Sequence, residues 1–500
     1  MVLADATRAP RTYGGWRRPT SPGMYSLGSL GTMLLLGTCV VVIIVMTFIG
    51  LLPAITLAAV ALLLLALLTV RDRDHRTGLQ KAGTRLGFAR ARRAGANIYR
   101  SGPLGRTAWG THQLPGLAAA SKLSEHRDSY GRPFALLHIP ATSDYTIVLA
   151  TEPDGAALVD EEQVDAWVAR WGMYLADLGD EPGLVGASVT VETAPDTGTR
   201  LRREVETNVD PDAPELAQAM LREVVQVYPA AAATVRAWVA LTFTARTDAG
   251  KRSTAEVARD LATRVSGLAH ALHATGAGAA RPVAAAELCE VVRVAYDPAA
   301  AHLLDAARAA GQAPELSWTD VGPSAHQADW DHYRHDGAVS VTWAMTVAPR
   351  GIIQSSILAR LLSPHRDVDR KRVTLLYRPL SAAASSATVD ADVRAASVRT
   401  SSQKVPSARA AADLKAAQQA ATEEAGGASL VNFGVLVTAT VVGEQRLPLA
   451  RSAVTNLAAT ARLRMRVVHG SQDSAFAAGL PLGLVLNRHL TVPTAVRESL

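Results

Sequence analysis

Cysteine is nearly missing from this sequence: two residues in 500, Cys39 and Cys289. Cys39 lies inside an apolar run and Cys289 in a distant helical stretch, so no disulfide is expected. That pattern suits a chain folded in a reducing compartment. No CxxC occurs, which excludes a zinc-ribbon site. GxxxxGK[ST] is missing, and with it the phosphate cradle of a Walker-type nucleotide site. Neither GxSxG nor HExxH occurs, so the two commonest hydrolase signatures are excluded as well. Lysine is scarce, 6 residues against 45 arginines. Together with abundant alanine, this is the coding bias of a GC-rich bacterial genome and carries no mechanism.

Charge is absent between Arg18 and Arg71, and Leu27 to Val70 is almost wholly apolar. As one helix those 44 residues would reach about 66 Å, twice the ~30 Å hydrocarbon core of a bilayer. A fold-back is therefore predicted, with the hairpin turn at Gly50 and Pro53, the strong helix breakers near the middle. The spans are Leu30–Ile49 and Pro53–Val70. A signal-peptide h-region, at about 7–15 residues, is too short to account for the run.

The basic residues flank this run. Residues 1–70 carry a net +3 and residues 71–106 a net +8, which leaves 107–500 at −5 within a chain total of +6. The pI of 9.4 thus reflects a positive-inside pattern, and direct nucleic-acid binding is not favoured. The expectation is a multi-pass protein of the inner (cytoplasmic) membrane with both termini in the cytoplasm. Arg17, Arg18, Arg71, Arg73, Arg76, Arg90, Arg92 and Arg93 are the membrane-flanking basic residues, and the last six would lie against acidic headgroups, at about 1 kcal/mol each. The lipid bilayer is the first expected partner. Gripping a translocating nucleic acid is the competing role for the same arginines.

Beyond a basic juxtamembrane linker, strands and helices alternate. Val185, Ala187, Val189 and Val191 share one strand face. So do Val235, Ala237, Val239, Leu241 and Phe243, then Val339, Val341, Trp343, Met345 and Val347, then Val431, Phe433, Val435, Val437 and Val441. Polar residues, often threonine, alternate with them. This predicts antiparallel or mixed sheets with one face buried and the other wetter. Val164, Trp167, Val168, Trp171, Leu175 and Leu178 make a helical stripe behind an N-cap at Asp160. Val257, Leu261, Val265, Leu268 and Leu272 make another, opened by a Ser253–Glu256 capping box. Strand–helix–strand units fall near 144–193, 234–283, 338–378 and 430–468, and two such units make one ferredoxin-like α+β sandwich.

The expected fold class is therefore α+β: an N-terminal transmembrane helical hairpin followed by two ferredoxin-like domains with a long helical insertion. The divisions are 1–26, a basic cytoplasmic segment; 27–70, the hairpin; 71–129, the linker; 130–324 and 325–500, the two α+β domains. The insertion, 381–427, reads as a helical hairpin turning near Val405–Pro406. A partly disordered linker is the alternative, because its apolar residues are mostly alanine.

Little in the chain suggests chemistry. His270 and His273 have i, i+3 spacing near a helix end, and His332 and His335 lie at a strand edge. Neither pair has a matching third ligand nearby, so solvated or capping histidines are the default. Gly276 and Gly278 follow no strand and read as a helix stop. Trp167 and Trp171 read as core or interface residues, and Pro481–Gly483 as a turn. No catalytic residue, metal site or cofactor is expected, and an assembly role is favoured over catalysis.

Two resemblances add to this reading. Arg11–Pro19, the apolar run, Tyr99–Arg106 and Gly131–His138 resemble a family of actinobacterial membrane proteins encoded in integrative conjugative elements beside a conjugation ATPase. Residues 130–485 resemble the N-terminal, non-motor region of the conjugative-transfer ATPases of type IV secretion. There a strand opens into a helix (here Ala240–Thr244 into Ser253–Ala274). A helical hairpin, a further βαβ unit (Leu430–Val442 with 446–468) and a Leu-Pro-Leu-Gly-like sequence (Gly479–Gly483) follow. The two-helix run is similar to the small membrane subunit of the same systems, and Leu500 is reached where the motor domain would begin. The resemblance implies a non-enzymatic inner-membrane scaffold of a type IV-like conjugation apparatus that anchors or recruits a separately encoded motor ATPase and forms a homo-oligomer. A core membrane component of a type VII-like protein secretion system is the alternative. A membrane-tethered hydrolase with an unrecognised site is the rival from the enzyme class.

Overall fold

Gly50 breaks the apolar run into helix α1 (Gly28–Phe48) and helix α2 (Leu51–Thr69). Its φ of +120° suits only glycine. Its N–H still reaches Val45 O at 3.1 Å. Pro53 sits in the first turn of α2, where a missing N–H breaks no helical bond. Helix α3 (Gly78–Arg93) opens on a capping box made by Thr77 and Gln80. In the computed structural model these helices belong to one compact unit, Trp16–Ala96 with Leu486–Leu500. Met1–Gly15 with Asn97–Val485 forms the other. The structure describes residues 13–14, 16, 28–69, 72, 74, 76–105, 107, 110–153, 155, 159–227, 233–247, 250–349, 353–402 and 407–490.

The expected transmembrane hairpin is corrected. Among the described residues, no helix is long and apolar enough to cross a membrane. The multi-pass inner-membrane placement with cytoplasmic termini falls with the hairpin.

In the larger unit, β1 (Ile98–Arg100) precedes two halves with one element order. The first half runs β2 (Lys122–Arg127), β3 (Pro133–Ile139), β4 (Asp144–Glu152), α4 (Glu161–Asp180), β5 (Leu184–Pro195), α5 (Thr199–Asn208), α6 (Glu215–Val227) and β6 (Ala233–Thr244). A small hairpin, β7 (Arg246–Thr247) with β8 (Gly250–Lys251), leads to α7 (Thr254–Leu272), β9 (Ala279–Pro282), α8 (Ala285–Tyr296) and α9 (Ala300–Ala309). The second half runs β10 (Ala325–Ala328), β11 (Tyr333–His335), β12 (Ala338–Val347), α10 (Ala359–Leu362) and β13 (Arg370–Pro379). It continues with α11 (Ala382–Ser401), α12 (Ala408–Ala425), β14 (Val431–Val442), α13 (Leu447–Thr460), β15 (Arg464–Val467) and α14 (Gln472–Ala478). The turn expected near Val405–Pro406 lies outside the described residues.

Thirteen of these strands form one antiparallel sheet in the order β1-β10-β11-β12-β14-β13-β5-β6-β4-β3-β2, with β15 beside β12 and β9 beside β4. Within each half, four strands lie in the order fourth, first, third, second: β9-β4-β6-β5 and β15-β12-β14-β13. With their helices these are βαββαβ units. They are not two separate domains meeting near residue 324. β5 and β13 pair directly, from Lys371↔Thr193 to Tyr377↔Ala187, and fuse the halves into one sheet.

Both faces of the sheet are covered. On the back, α4 and α7 pack on Ile147, Leu149, Val239 and Leu241, and α10 and α13 pack on Val341, Val373 and Val437. On the front, α8, Phe476 of α14 and Leu480–Leu484 pack on Val148, Trp238 and Ala240. The alternating threonines were expected on a wetter face. Thr146, Thr190, Thr242, Thr342, Thr374, Thr438 and Thr440 are instead buried beneath this front layer. The sealed face holds because the hydroxyls find partners in one another and in the covering segment.

Candidate functional site

Of the basic residues read as membrane-flanking, Arg17, Arg18, Arg71 and Arg73 lie outside the described residues. Arg76 donates to Thr84 Oγ1 at 2.6 Å. Arg90, Arg92 and Arg93 occupy the last turn of α3, where cations complement the helix dipole. That placement explains them locally, and no headgroup role is carried forward.

The most unusual chemistry lies under the front layer, where residues 472–484 cross the sheet as a strap. Thr242 Oγ1 donates to Gly483 O at 2.7 Å and lies 3.0 Å from Thr146 Oγ1. Thr374 Oγ1 donates to Gly479 O at 3.0 Å. Gln472 brackets the backbone of Thr342, accepting from its N–H at 2.9 Å and donating to its carbonyl at 3.1 Å. Gly483 has φ +62°, and a Cβ there would stand 2.2 Å from Thr242 Oγ1. Glycine is thus required where the strap meets the first half. The Leu-Pro-Leu-Gly-like sequence, which reads as a turn, is this strap.

Next to the strap sits an arrangement that resembles a catalytic dyad. Ser340 Oγ lies 2.7 Å from His335 Nε2, and His335 Nδ1 donates to Tyr296 O at 2.5 Å. A carbonyl acceptor fixes the proton on Nδ1, so Nε2 accepts from Ser340. That is the geometry of an activated nucleophile with its base and an orienting group. Access and basicity rule the chemistry out. Both residues are 0% exposed, and Ser340 also shares a hydrogen bond with Thr440 at 2.7 Å. Burial pushes the His335 pKa down to about 3, far from that of a base working near neutral pH. Burial likewise lowers His326, whose Nδ1 meets the Tyr333 hydroxyl, to about 4. Phe476 packs among the rings of Tyr296, Tyr333 and His335.

Arg372 completes this cluster. It is 2% exposed, its guanidinium lies 4.5 Å from the Phe476 ring centre, and Glu192 is 3.9 Å from its Nε. Glu192 also pairs with Arg370. One buried carboxylate therefore serves two arginines. Burial lowers Arg372 to about 10, which leaves it charged at neutral pH. The cluster is a polar core that locks strap to sheet.

Other candidates disperse. His332 faces Asp331 and Asp329, at 2.8 and 3.2 Å, while His335 points into the core, so the pair does not converge. His270 and His273 are both exposed at the end of α7. Among the described residues, no group of three or more His, Cys, Asp or Glu could hold a metal ion. Trp167 lies against Gly276 and Trp171 packs beside Tyr174 and Tyr377.

The surface offers one feature that the sequence reading missed. Helix α6 buries none of its residues. Leu216, Met220, Val224 and Val227 are nevertheless spaced along one side of it, 73%, 59%, 44% and 62% exposed. The i, i+4, i+8, i+11 spacing was present in the sequence and signals an amphipathic helix.

A family model described as a domain of unknown function, DUF8461, matches residues 20–80. The match covers α1, α2 and the start of α3 and none of the sheet. No curated protein matches the chain.

Proposed function

We propose that this chain is a non-enzymatic scaffold of an actinobacterial type IV-like conjugation apparatus and that it recruits a separately encoded motor ATPase. The apolar face of α6 carries this reading. Four large apolar side chains on one exposed helix face are costly to leave in water and mark a protein-interaction surface. They project from a sheet that β5 and β13 make continuous, a suitable base for presenting a helix to a partner. The order of strand, helix, inserted helical pair and Leu-Pro-Leu-Gly strap supports the kinship with the non-motor region of conjugation ATPases. The sealed state of the Ser340–His335 pair supports an assembly role.

The test places a photo-crosslinking amino acid at Met220 of the full chain in a host that carries the element. The expected result is an adduct with the conjugation ATPase. The double substitution Leu216→Glu, Val224→Glu should remove the adduct and lower DNA transfer roughly tenfold or more, with the melting temperature unchanged. Recovery of no secretion ATPase, with intact transfer after deletion of the gene, overturns the reading.

A further inference from the structure

Strand β2 ends the sheet on the side of the first half. It pairs with β3 from Lys122↔His138 to Arg127↔Pro133 and is the last strand in the order. Among the described residues, no backbone group of 122–127 bonds outside that pairing. An open strand edge is a template for a further strand. Beside this edge runs α7. A groove of about 260 Å³ lies between them, lined by His126, Arg127, Ala255, Ala258, Arg259 and Ala262. The three alanines keep the helix side low, which leaves room for every second side chain of an added strand.

Charge selects the occupant. Among the described residues, Arg127 and Arg259 donate only to backbone carbonyls, of Gly131 and Ala255. The carboxylates around them hydrogen-bond elsewhere, although Glu256 is near enough to attract Arg259. Asp128 pairs with Arg132, and Asp260 with Arg252 and Arg264. Glu256 closes the capping box with Ser253, and Glu125 accepts from the N–H of Ala285. A second copy is a poor fit. Antiparallel self-pairing about Ser124 would set Lys122 of one copy against His126 of the other, with no carboxylate opposite either. An acidic strand meets attraction at the same positions.

We propose that β2 and α7 form a docking site for an extended, acidic segment of a partner protein. The segment adds to the sheet by main-chain hydrogen bonds along β2 and sets carboxylates against Arg127 and Arg259. This site is independent of the conjugation reading and of the α6 face.

The experiment titrates the full-length protein with a fluorescent peptide of alternating glutamate and valine. Two further forms of the peptide are N-methylated along one edge or the other. Saturable binding is expected, with slowed amide exchange across 122–127. N-methylation of one edge should abolish binding, and that of the other should spare it. The exposed double substitution Arg127→Glu, Arg259→Glu should weaken binding roughly tenfold or more while the fold is retained. The proposal is overturned by an absence of saturable binding, by equal affinity of all three peptides, or by an affinity that charge reversal leaves unchanged. Protection of 122–127 that grows with protein concentration and needs no peptide would also overturn it, in favour of a second copy.

Discussion

In the first half of the sheet the helix after the leading strand, α4, has 20 residues; its counterpart in the second half, α10, has 4. The inserted helix pairs differ in the opposite sense. α6 of the first half buries nothing, whereas α11 of the second buries Ser385, Val389 and Ala396. The outer edges differ too. The first half ends through β3 at β2, while the second half continues through β11 and β10 to the three-residue β1 at the other end of the order. One strand order thus supports two uses. The first half carries the unpartnered surfaces, and the second half keeps its polar groups inside, with His326, His335 and Ser340 all buried there. Strand order is set by the shared βαββαβ pattern, while insertions and edges vary without disturbing the core.

The largest expected break in this comparison comes from acid. His335 and His326 have folded-state pKa values of about 3 and about 4, below the ordinary 6.5. As pH falls, the unfolded chain takes up these protons first, so the stability from both groups is full above about pH 6.5. It is lost as pH falls through the folded values. At about pH 4.5 the two histidines together cost about 5 kcal/mol. Hydrogen exchange at that pH should show 325–345 opening before 133–152. Equal opening of both halves would contradict it. Next come the two strap glycines. Gly483→Ala drives a Cβ against Thr242 in the first half at an unfavourable φ, and should cost about 3 kcal/mol in denaturant melts. Gly479→Ala meets Thr438 Oγ1 at 3.1 Å and should cost under about 1 kcal/mol. The smallest contrast, about 1.5 kcal/mol, is between the insertions. Val389→Ala in α11, at a site 3% exposed, should lower stability by about 2 kcal/mol. Met220→Ala in α6 should change it by less than about 0.5 kcal/mol.

Local periodicity made much of the larger unit readable. The alternating residues read as strands lie in β5, β6, β12 and β14, and the striped segments lie in α4 and α7. The Ser253–Glu256 capping box is formed, while Asp160 takes the N-cap position of α4 without a side-chain bond. Three things could not be read locally. The β5–β13 pairing joins residues about 180 positions apart, such as Thr193 and Lys371. Alternation in sequence cannot tell a wet face from one roofed by a threonine-bonded strap. The polar cluster draws Glu192, Tyr296, His335, Arg372 and Phe476 from five separate elements, with no spacing to announce it. The long apolar run was read as two membrane spans, whereas no helix among the described residues is long and apolar enough to cross a membrane.

The strap also bears on how the chain is made. Residues 472–484 follow both halves in chain order, yet they cover the front of each. During synthesis at about 5–20 residues per second, the first half waits roughly 10–40 s after α8 emerges before its roof arrives. Throughout that interval Val148, Trp238 and Ala240 have α8 against them and lack the strap's share of their cover. The first half is therefore more exposed to aggregation in the interval between α8 and the strap than once the strap has closed over it.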